Sequence, residues 1–466
     1  MTKDVLYITI DSIRADRVGY LGYSEETTPE IDQLAADGTT FEQGIANGIP
    51  TYYSFKSLLG GIHSLSHGRS IGLPETAKSI AEVFSDAGYD TAGFNAQNPW
   101  LTPSYGYDRG FDTFEDFMGN SESGLGLGQI TRDAKRTAKR AVGFSDTLTD
   151  KLGQLGRVVS AIVGSQPLTQ AEVVSRAAID WVESRDQDSP FFLWIHYMDP
   201  HYPWVPPEKF LDHDDLSRIE VGRLWHTVAY QYQQETAAVD EHMMRQINRL
   251  YDAEIRRMDA SIGELLETVH SVSSTGGPLI ALAGDHGTEL NDHGGFSHGP
   301  TDLYQEVTRV PLLFAGPDVP DNSKELGGLV DVPQTLVQQS NAVKEGIEPF
   351  EGINLLEESR DSVFTEVVYD IDPVKQQNTN NAILSAHTAP PWKLIRNEET
   401  EDVELYNLKT DSGEETNRVP EEPQRVSELT NGLEEHRERI YRRNRTVEEK
   451  QRIRRKISEL RDKGKI

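Results

Sequence analysis

Apolar and polar positions fall into two rhythms along this chain. Short runs rich in β-branched and aromatic residues (VLYITI from residue 5, TAGF at 91–94, FFLWIHY from residue 191, LIALAG from residue 279, VPLLFAG from residue 310) read as buried strands. Between them, apolar residues recur three and four apart. Residues 75–88 set Ile80, Val83, Phe84 and Ala87 on one helical face and stop at Gly88. EIDQLAADG follows the first strand as a short helix, and residues 248–270 form a long one. Strands alternating with helices predict an α/β fold, with a mostly parallel central sheet flanked by helices.

Two stretches depart from this rhythm. In residues 117–170, a Gly/Ser-rich run at 119–128 precedes Arg132, Lys135, Arg136, Lys139 and Arg140, which share one face at helical spacing. Such a stripe is either a solvated helix face or a lid that docks an anionic ligand. Near the other end, residues 392–395 and 403–406 predict a strand hairpin, followed by a charged helix over 424–461 with Glu and Arg at i,i+4 spacings. The expected organisation is a principal domain over 1–340 with 117–170 as an insertion or lid. A small C-terminal α+β subdomain over 341–423 and a charged C-terminal helix over 424–466 complete it.

Composition narrows the picture. Among 466 residues, 76 acidic side chains face 46 basic ones for a net charge of -30, and only 16 of the basic residues are Lys. An acidic, lysine-poor surface fits a protein working in high salt, as in a haloarchaeon. With no cysteine, disulfides, thiolate zinc sites and iron–sulfur clusters are excluded. The start, MTKDVLYITI, lacks the apolar core and small-residue cleavage site of a secretory signal, and the apolar run at 158–163 is too short to span a bilayer. Cytoplasmic residence is the expectation, and no nucleic-acid-binding motif is present.

Candidate chemistry gathers at strand ends. Asp11 closes one apolar strand, and Asp285-His286 closes another inside Gly-Asp-His-Gly, whose glycines allow a tight turn. Two carboxylates and an imidazole suit one divalent cation: Mg²⁺, Mn²⁺, Ca²⁺ or Zn²⁺. An isolated strand-end Asp is as readily a helix cap. His196, Asp199 and His201 lie before a proline-rich stretch, and His293 and His298 lie among glycines in NDHGGFSHG. Four of the 13 histidines in two such loops mark a site.

The segments LYITIDSIRADRVGYLGY, TTPEIDQLAADGTTFEQGIAN, GYDTAGF, GYDRGFDTFED, HYMDPHYPWVPP, LYDAEIRRMDASIGELLE, LAGDHGTELNDHGGFSHG and LYQEVTRVPLLFAGP, with the closing WKLIRN and VELYNLKTD, carry a resemblance in order and spacing over nearly the whole chain. The sequence resembles the sulfatases and their relatives in the alkaline-phosphatase superfamily. The resemblance implies that Thr51 occupies the nucleophile position, in TYYSFKSLLGG where the family has nucleophile-x-Pro-Ser-Arg. It further implies that Asp11, Asp285 and His286 bind a divalent metal ion together with Thr51. His201 matches the histidine on the leaving-group side, and His298 falls where relatives place Lys or His near the transferred group.

Three departures accompany the match. The family's second Asp is Ser12 here, the Arg after the nucleophile is Phe55, and the active-site Lys is assigned to Phe94. Threonine cannot yield the formylglycine of sulfatases proper, because oxidising a secondary alcohol gives a ketone. A metal-activated Thr is instead similar to phosphodiesterases, phosphonate hydrolases and phosphoglycerol transferases of the superfamily. The implied activity is hydrolysis of a sulfate or phosphate mono- or diester, on a small molecule or a glycan. The alternatives are a phospho-head-group transferase and a non-catalytic binder of anionic glycans.

Overall fold

The computed structural model describes residues 2–118, 168–186, 189–211, 216, 220–222, 224, 239–273, 276–342, 350–369, 371–372, 377–378 and 383–462. The Gly/Ser run at 119–128 and the basic stripe lie outside the described residues.

A nine-stranded sheet organises the principal part of the chain. Its strands are β1 (Val5–Ile10), β2 (Gly38–Ile45), β3 (Asp90–Asn95), β4 (Thr113–Glu115), β5 (Phe191–Tyr197) and β6 (Leu279–Gly284). After a ribbon of β7 (Glu289–Leu290) and β8 (Phe296–Ser297) come β9 (Arg309–Val310), β10 (Leu312–Ala315) and β11 (Asn322–Gly328). The spatial order is β11-β2-β10-β6-β1-β5-β3-β4, with β9 beside β2. β1 runs parallel to both neighbours, pairing Ile10 with Tyr197 and with Gly284. The expected parallel sheet is present, but the VPLLFAG strand runs antiparallel to β6 and β2.

Alternation along β1 divides the core. Val5 and Tyr7 face one apolar cluster, while Leu6, Ile8 and Ile10 face the other. The first cluster takes in α2 (Thr51–Leu58), α3 (Ile80–Asp86) and the later helix Val332–Gln339; the second takes in α1 (Pro29–Ala36), α4 (Ala171–Ser184) and α5 (Glu241–Val272). Covered on both faces, the central strands have no solvent side, which is why they read as continuous apolar runs.

Two helix starts differ from expectation, and caps explain both. α3 begins at Ile80 because Ser79 accepts from Glu82 N while Glu82 reaches back to Ser79 N, a complete capping box; residues 75–78 stay outside the helix. α5 begins earlier than its apolar pattern, at Glu241, because the Asp240 side chain accepts from Met243 N. Among the described residues, no helix is long and apolar enough to cross a membrane.

The hairpin is present as Trp392–Asn397 paired with Val403–Asn407, inside a four-stranded antiparallel sheet with Val363–Val368 and Ile383–Ala389. The charged helix Pro423–Asp462 anchors on this sheet through Leu429 and Leu433, which pack with Leu394 and Leu405. A buried ion pair in the C-terminal part holds hydrogen bonds to the principal part through Gln305 N and Thr308 Oγ1. Lys393 Nζ lies 2.9 Å from Glu414 Oε1, both side chains being fully buried, and Glu414 Oε2 accepts from Gln305 N at 2.5 Å. Removing one partner strands the other charge. Glu414→Ala should therefore cost about 3–5 kcal/mol in urea unfolding, and the apolar double replacement Lys393→Met/Glu414→Leu much less.

Candidate active site

The carboxyl edge of the sheet and the start of one helix build the site. Asp11 leaves β1 with its N–H bonded to Tyr197 O, and Asp285 leaves β6 with its N–H bonded to Ile10 O, both at 2.9 Å. These bonds extend the ladder by one residue and bring two fully buried carboxylates onto the same edge. One ligand atom each from Asp11, Asp285 and His286 lies within 4.8 Å of the other two. Thr51, the first residue of α2, points its hydroxyl into this cluster. Its Oγ1 is 3.2 Å from His286 Nε2 and 3.3 Å from Asp11 Oδ2. The helix N-terminus favours negative charge at that oxygen.

The donor set fits a divalent cation. His286 Nδ1 lies 2.8 Å from Gly287 O, which can only accept, so Nδ1 carries the proton and Nε2 presents its lone pair. Asp285 Oδ1 accepts from Ser12 N and His286 N, while Oδ2 is buried with no hydrogen-bond partner. Two carboxylate oxygens and one imidazole nitrogen form the oxygen-rich set that Mg²⁺, Mn²⁺, Ca²⁺ or Zn²⁺ accepts.

Electrostatics point the same way. Burial opposes the charge on Asp11, but the imidazoles of His201, His196 and His286 outweigh it and hold that carboxyl well below the usual range. Asp285 goes the other way: burial first, then repulsion from Asp11, pushes it well above. Burial lowers His286, so its imidazole is neutral at neutral pH. Two carboxyls driven apart in this manner are the state a cation relieves.

His201 and His298 both come to the cluster. Their rings are 5.0 Å apart, and His298 lies 4.4 Å from the His286 ring. His201 Nδ1 donates to Tyr202 O, leaving Nε2 as the acceptor side. Burial, then the neighbouring His286 and His201, hold the His298 imidazole well below its usual range.

Four residues carry parts of the site that the motif reading left out or placed differently. Ser12, at φ 56°, bridges both carboxylates: its hydroxyl donates to Asp11 Oδ1 at 2.6 Å and its N–H to Asp285 Oδ1 at 3.2 Å. Tyr251 of α5 fixes this bend by donating to Ser12 O at 2.7 Å and accepting from Arg14 N at 2.9 Å. Asn98 donates to Asp11 Oδ2 at 2.9 Å, and its own N–H is held by Asn95 Oδ1. His196, buried in β5, sets Nε2 3.7 Å from Asp11 Oδ2.

Phe94 does not face the site. It pairs with Ile195 inside the sheet and packs in the helix-covered core, while the strand's end delivers Asn95 and the turn after it delivers Asn98. Phe55 does abut the site: its ring lies edge-on to His196 at 4.9 Å. Asp199 and His293 point elsewhere. Asp199 Oδ1 accepts from Ala171 N at the start of α4, and His293 bonds Glu306 at 2.6 Å and stacks on Tyr304.

Lys56 lies on α2 but away from the Thr51 hydroxyl, fully buried and donating to Ser64 O, Gly68 O and Ser70 O. Burial pulls its pKa from 10.5 to about 7. Between those values the unfolded chain holds a proton that the folded one lacks, so stability rises with pH across that window, by on the order of a few kcal/mol. Urea midpoints measured from neutral to alkaline pH should show this slope in the native chain and lose it in Lys56→Met.

Fold and site together define a sulfatase-like ester hydrolase of the alkaline-phosphatase-like superfamily. The chain belongs to the sulfatase family, whose profile, described as Sulfatase, matches residues 3–342. Among curated relatives, the arylsulfatase of Clostridium perfringens is 25% identical over 452 residues, covering 91% of each chain. The multifunctional alkaline phosphatase superfamily protein PehA of Trinickia caryophylli is 22% identical over 356 residues, covering 67% of this chain and 68% of its own. Among solved structures, the phosphonate monoester hydrolase of Agrobacterium radiobacter superposes with a TM-score of 0.69 at 18% identity, over 95% of this chain and 96% of that one.

Proposed function

We propose that the protein hydrolyses singly charged sulfate or phosphate esters, with Thr51 as nucleophile. The observation that carries this reading is the Thr51 hydroxyl, within 3.3 Å of both Asp11 and His286 at the mouth of a buried ligand cluster. Asp11, Asp285 and His286 would hold a divalent cation, which would supply Lewis-acid stabilisation of the charge that develops in the reaction.

Thr51 Oγ1 attacks sulfur or phosphorus, and the bond to the ester oxygen breaks. The Thr51 hydroxyl proton is directed toward Asp11 Oδ2, the acceptor it already faces. His201, whose Nε2 is the open ring position, relays a proton from water to the departing alcohol, and His298 donates to a non-bridging oxygen. Water then cleaves the Thr51 ester, releasing the inorganic anion and restoring the hydroxyl and the proton inventory.

Charge supports a monoanionic substrate. Among the described residues, the cations nearest in sequence to the site are committed elsewhere. Arg14 spends its N–H groups on Asp16, Asp292 and Thr288 O, and Lys56 faces backbone carbonyls. Phe55 and the neutral His298 imidazole stand where the family places cations, so a doubly charged phosphate monoester meets less compensation than a sulfate monoester, phosphodiester or phosphonate monoester. The net charge of -30 supports assay in high salt. A panel of aryl sulfate, phosphodiester, phosphonate and phosphate monoester with each of the four cations tests the reading. The expected kcat/KM favours the monoanions by about tenfold or more, one pKa-unit equivalent of binding difference. Preference for the dianion, or no turnover of any ester, overturns it.

A further inference from the structure

A second polar cavity lies between the principal sheet and the loop after the C-terminal hairpin. It has a volume of about 230 Å³ and is lined by Arg309, Gln43, Gln305, Ser412 and the Arg14 cluster, with none of the nucleophile or ligand residues among its walls. It is smaller than the roughly 300–1,000 Å³ of drug-sized ligand sites, so it holds one small group.

The lining is rich in donors that the protein itself leaves unmatched. Arg309 donates Nε to Glu42 O at 2.9 Å, and among the described residues no other side-chain hydrogen bond or ion pair involves its guanidinium. Gln305 is nine-tenths buried, and its Nε2 has no partner. On the acceptor side, Gln43 Oε1 is buried and unmatched.

The neighbouring carboxylates are already satisfied. Asp16 and Asp292 each bond Arg14 through both oxygens, and Glu306 bonds His293. A partly buried guanidinium fork beside a buried, unpartnered amide N–H favours an acceptor-rich group in the space between them. Burial also lowers the Arg309 pKa, as expected for a cation held out of water.

We propose that this cavity binds a small oxyanion, with the Nη fork of Arg309 and the Gln305 amide as donors and Gln43 Oε1 accepting from a hydroxyl or protonated oxygen of the same ligand. The oxyanion has two sources. It is either free inorganic sulfate or phosphate, or a second charged group on a multiply charged substrate. The site stands on its own lining and does not require Thr51 chemistry.

Calorimetric titration of the metal-loaded full chain with inorganic sulfate, and separately with inorganic phosphate, tests it. The native protein should take up two equivalents of anion. Arg309→Gln should lose one of them while hydrolysing a small aryl ester within about twofold of the native rate. Asp285→Asn should keep the equivalent that Arg309→Gln loses. Gln305→Leu, a milder change, should weaken the same equivalent severalfold and guards against misfolding of the arginine variant, whose unfolding midpoint is measured alongside.

The source is then read from kinetics. A raised KM for a disulfated oligosaccharide, with an unchanged KM for an aryl sulfate, assigns the anion to the substrate; altered inhibition by free sulfate alone assigns it to the free ion. Anion uptake that Arg309→Gln leaves unchanged overturns the proposal. Loss of ester hydrolysis with the Arg309-dependent equivalent intact would count against the Thr51 mechanism and leave this site standing.

Discussion

Thr51→Ala should lower kcat for the preferred ester by about 10⁴-fold or more while leaving divalent-cation affinity within a fewfold of the native value. The size follows from what is removed: without the hydroxyl there is no covalent route, and the remaining positioning groups supply only the residual rate seen when other nucleophiles are deleted. The near-constant affinity follows from the ligand geometry, since Asp11, Asp285 and His286 meet within 4.8 Å without help from Thr51. Thr51→Ser keeps an oxygen at the start of α2 and should retain activity within about tenfold, limited by the added freedom of an unbranched side chain. Calorimetry of metal binding and steady-state kinetics on the same preparations separate the two effects. Unchanged turnover in the alanine variant would remove Thr51 from the chemistry.

The second large effect concerns the ligand pair. Asp285→Asn should abolish turnover and weaken metal binding by more than the about 10–100-fold typical of losing an outer-shell partner. It should also change how stability responds to metal. In the native chain, burial and the neighbouring Asp11 push the Asp285 carboxyl well above its usual range, so charging it in the metal-free fold is disfavoured. A bound cation reverses that penalty and adds mass-action stabilisation of about 4 kcal/mol at a thousandfold excess over Kd. A chelator should therefore lower the native Tm by several degrees and leave Asp285→Asn nearly unmoved. The metal-free variant should melt no lower than the metal-free native chain, because the amide keeps the shape and drops the repulsion. A chelator shift of equal size in both proteins would separate the carboxylates from any bound cation.

The fold was legible where burial is complete. Strands such as VLYITI and LIALAG are covered on both faces, so their sequence is a solid apolar run ending just before the carboxylate brought to the cluster. Strand direction was not legible: β10 has the same apolar character as its parallel neighbours and runs the other way. Helix starts were set by caps, Ser79 and Asp240, which lie outside the apolar periodicity.

Within the site, the six residues of the motif reading (Asp11, Thr51, Asp285, His286, His201 and His298) are brought together. The second layer was less visible. Asn98 sits in NAQNPWL, which has the look of an ordinary turn, and only the hydrogen bond to Asp11 sets it apart. Ser12 was marked as a lost carboxylate, yet its backbone and hydroxyl tie the two remaining ones together. Phe94 was matched to the family's active-site Lys position, and the pleat turns it into the core. Asp199 and His293 had plausible company in sequence but spend their polar atoms on a helix start and on Glu306.

Mass spectrometry of the peptide spanning Thr51, from enzyme quenched with acid during turnover, tests the nucleophile directly. The expected result is a sulfo or phospho adduct on the Thr51 oxygen that disappears once substrate is exhausted. An adduct on another side chain, or an unmodified Thr51 under conditions where a covalent burst is seen, would contradict it.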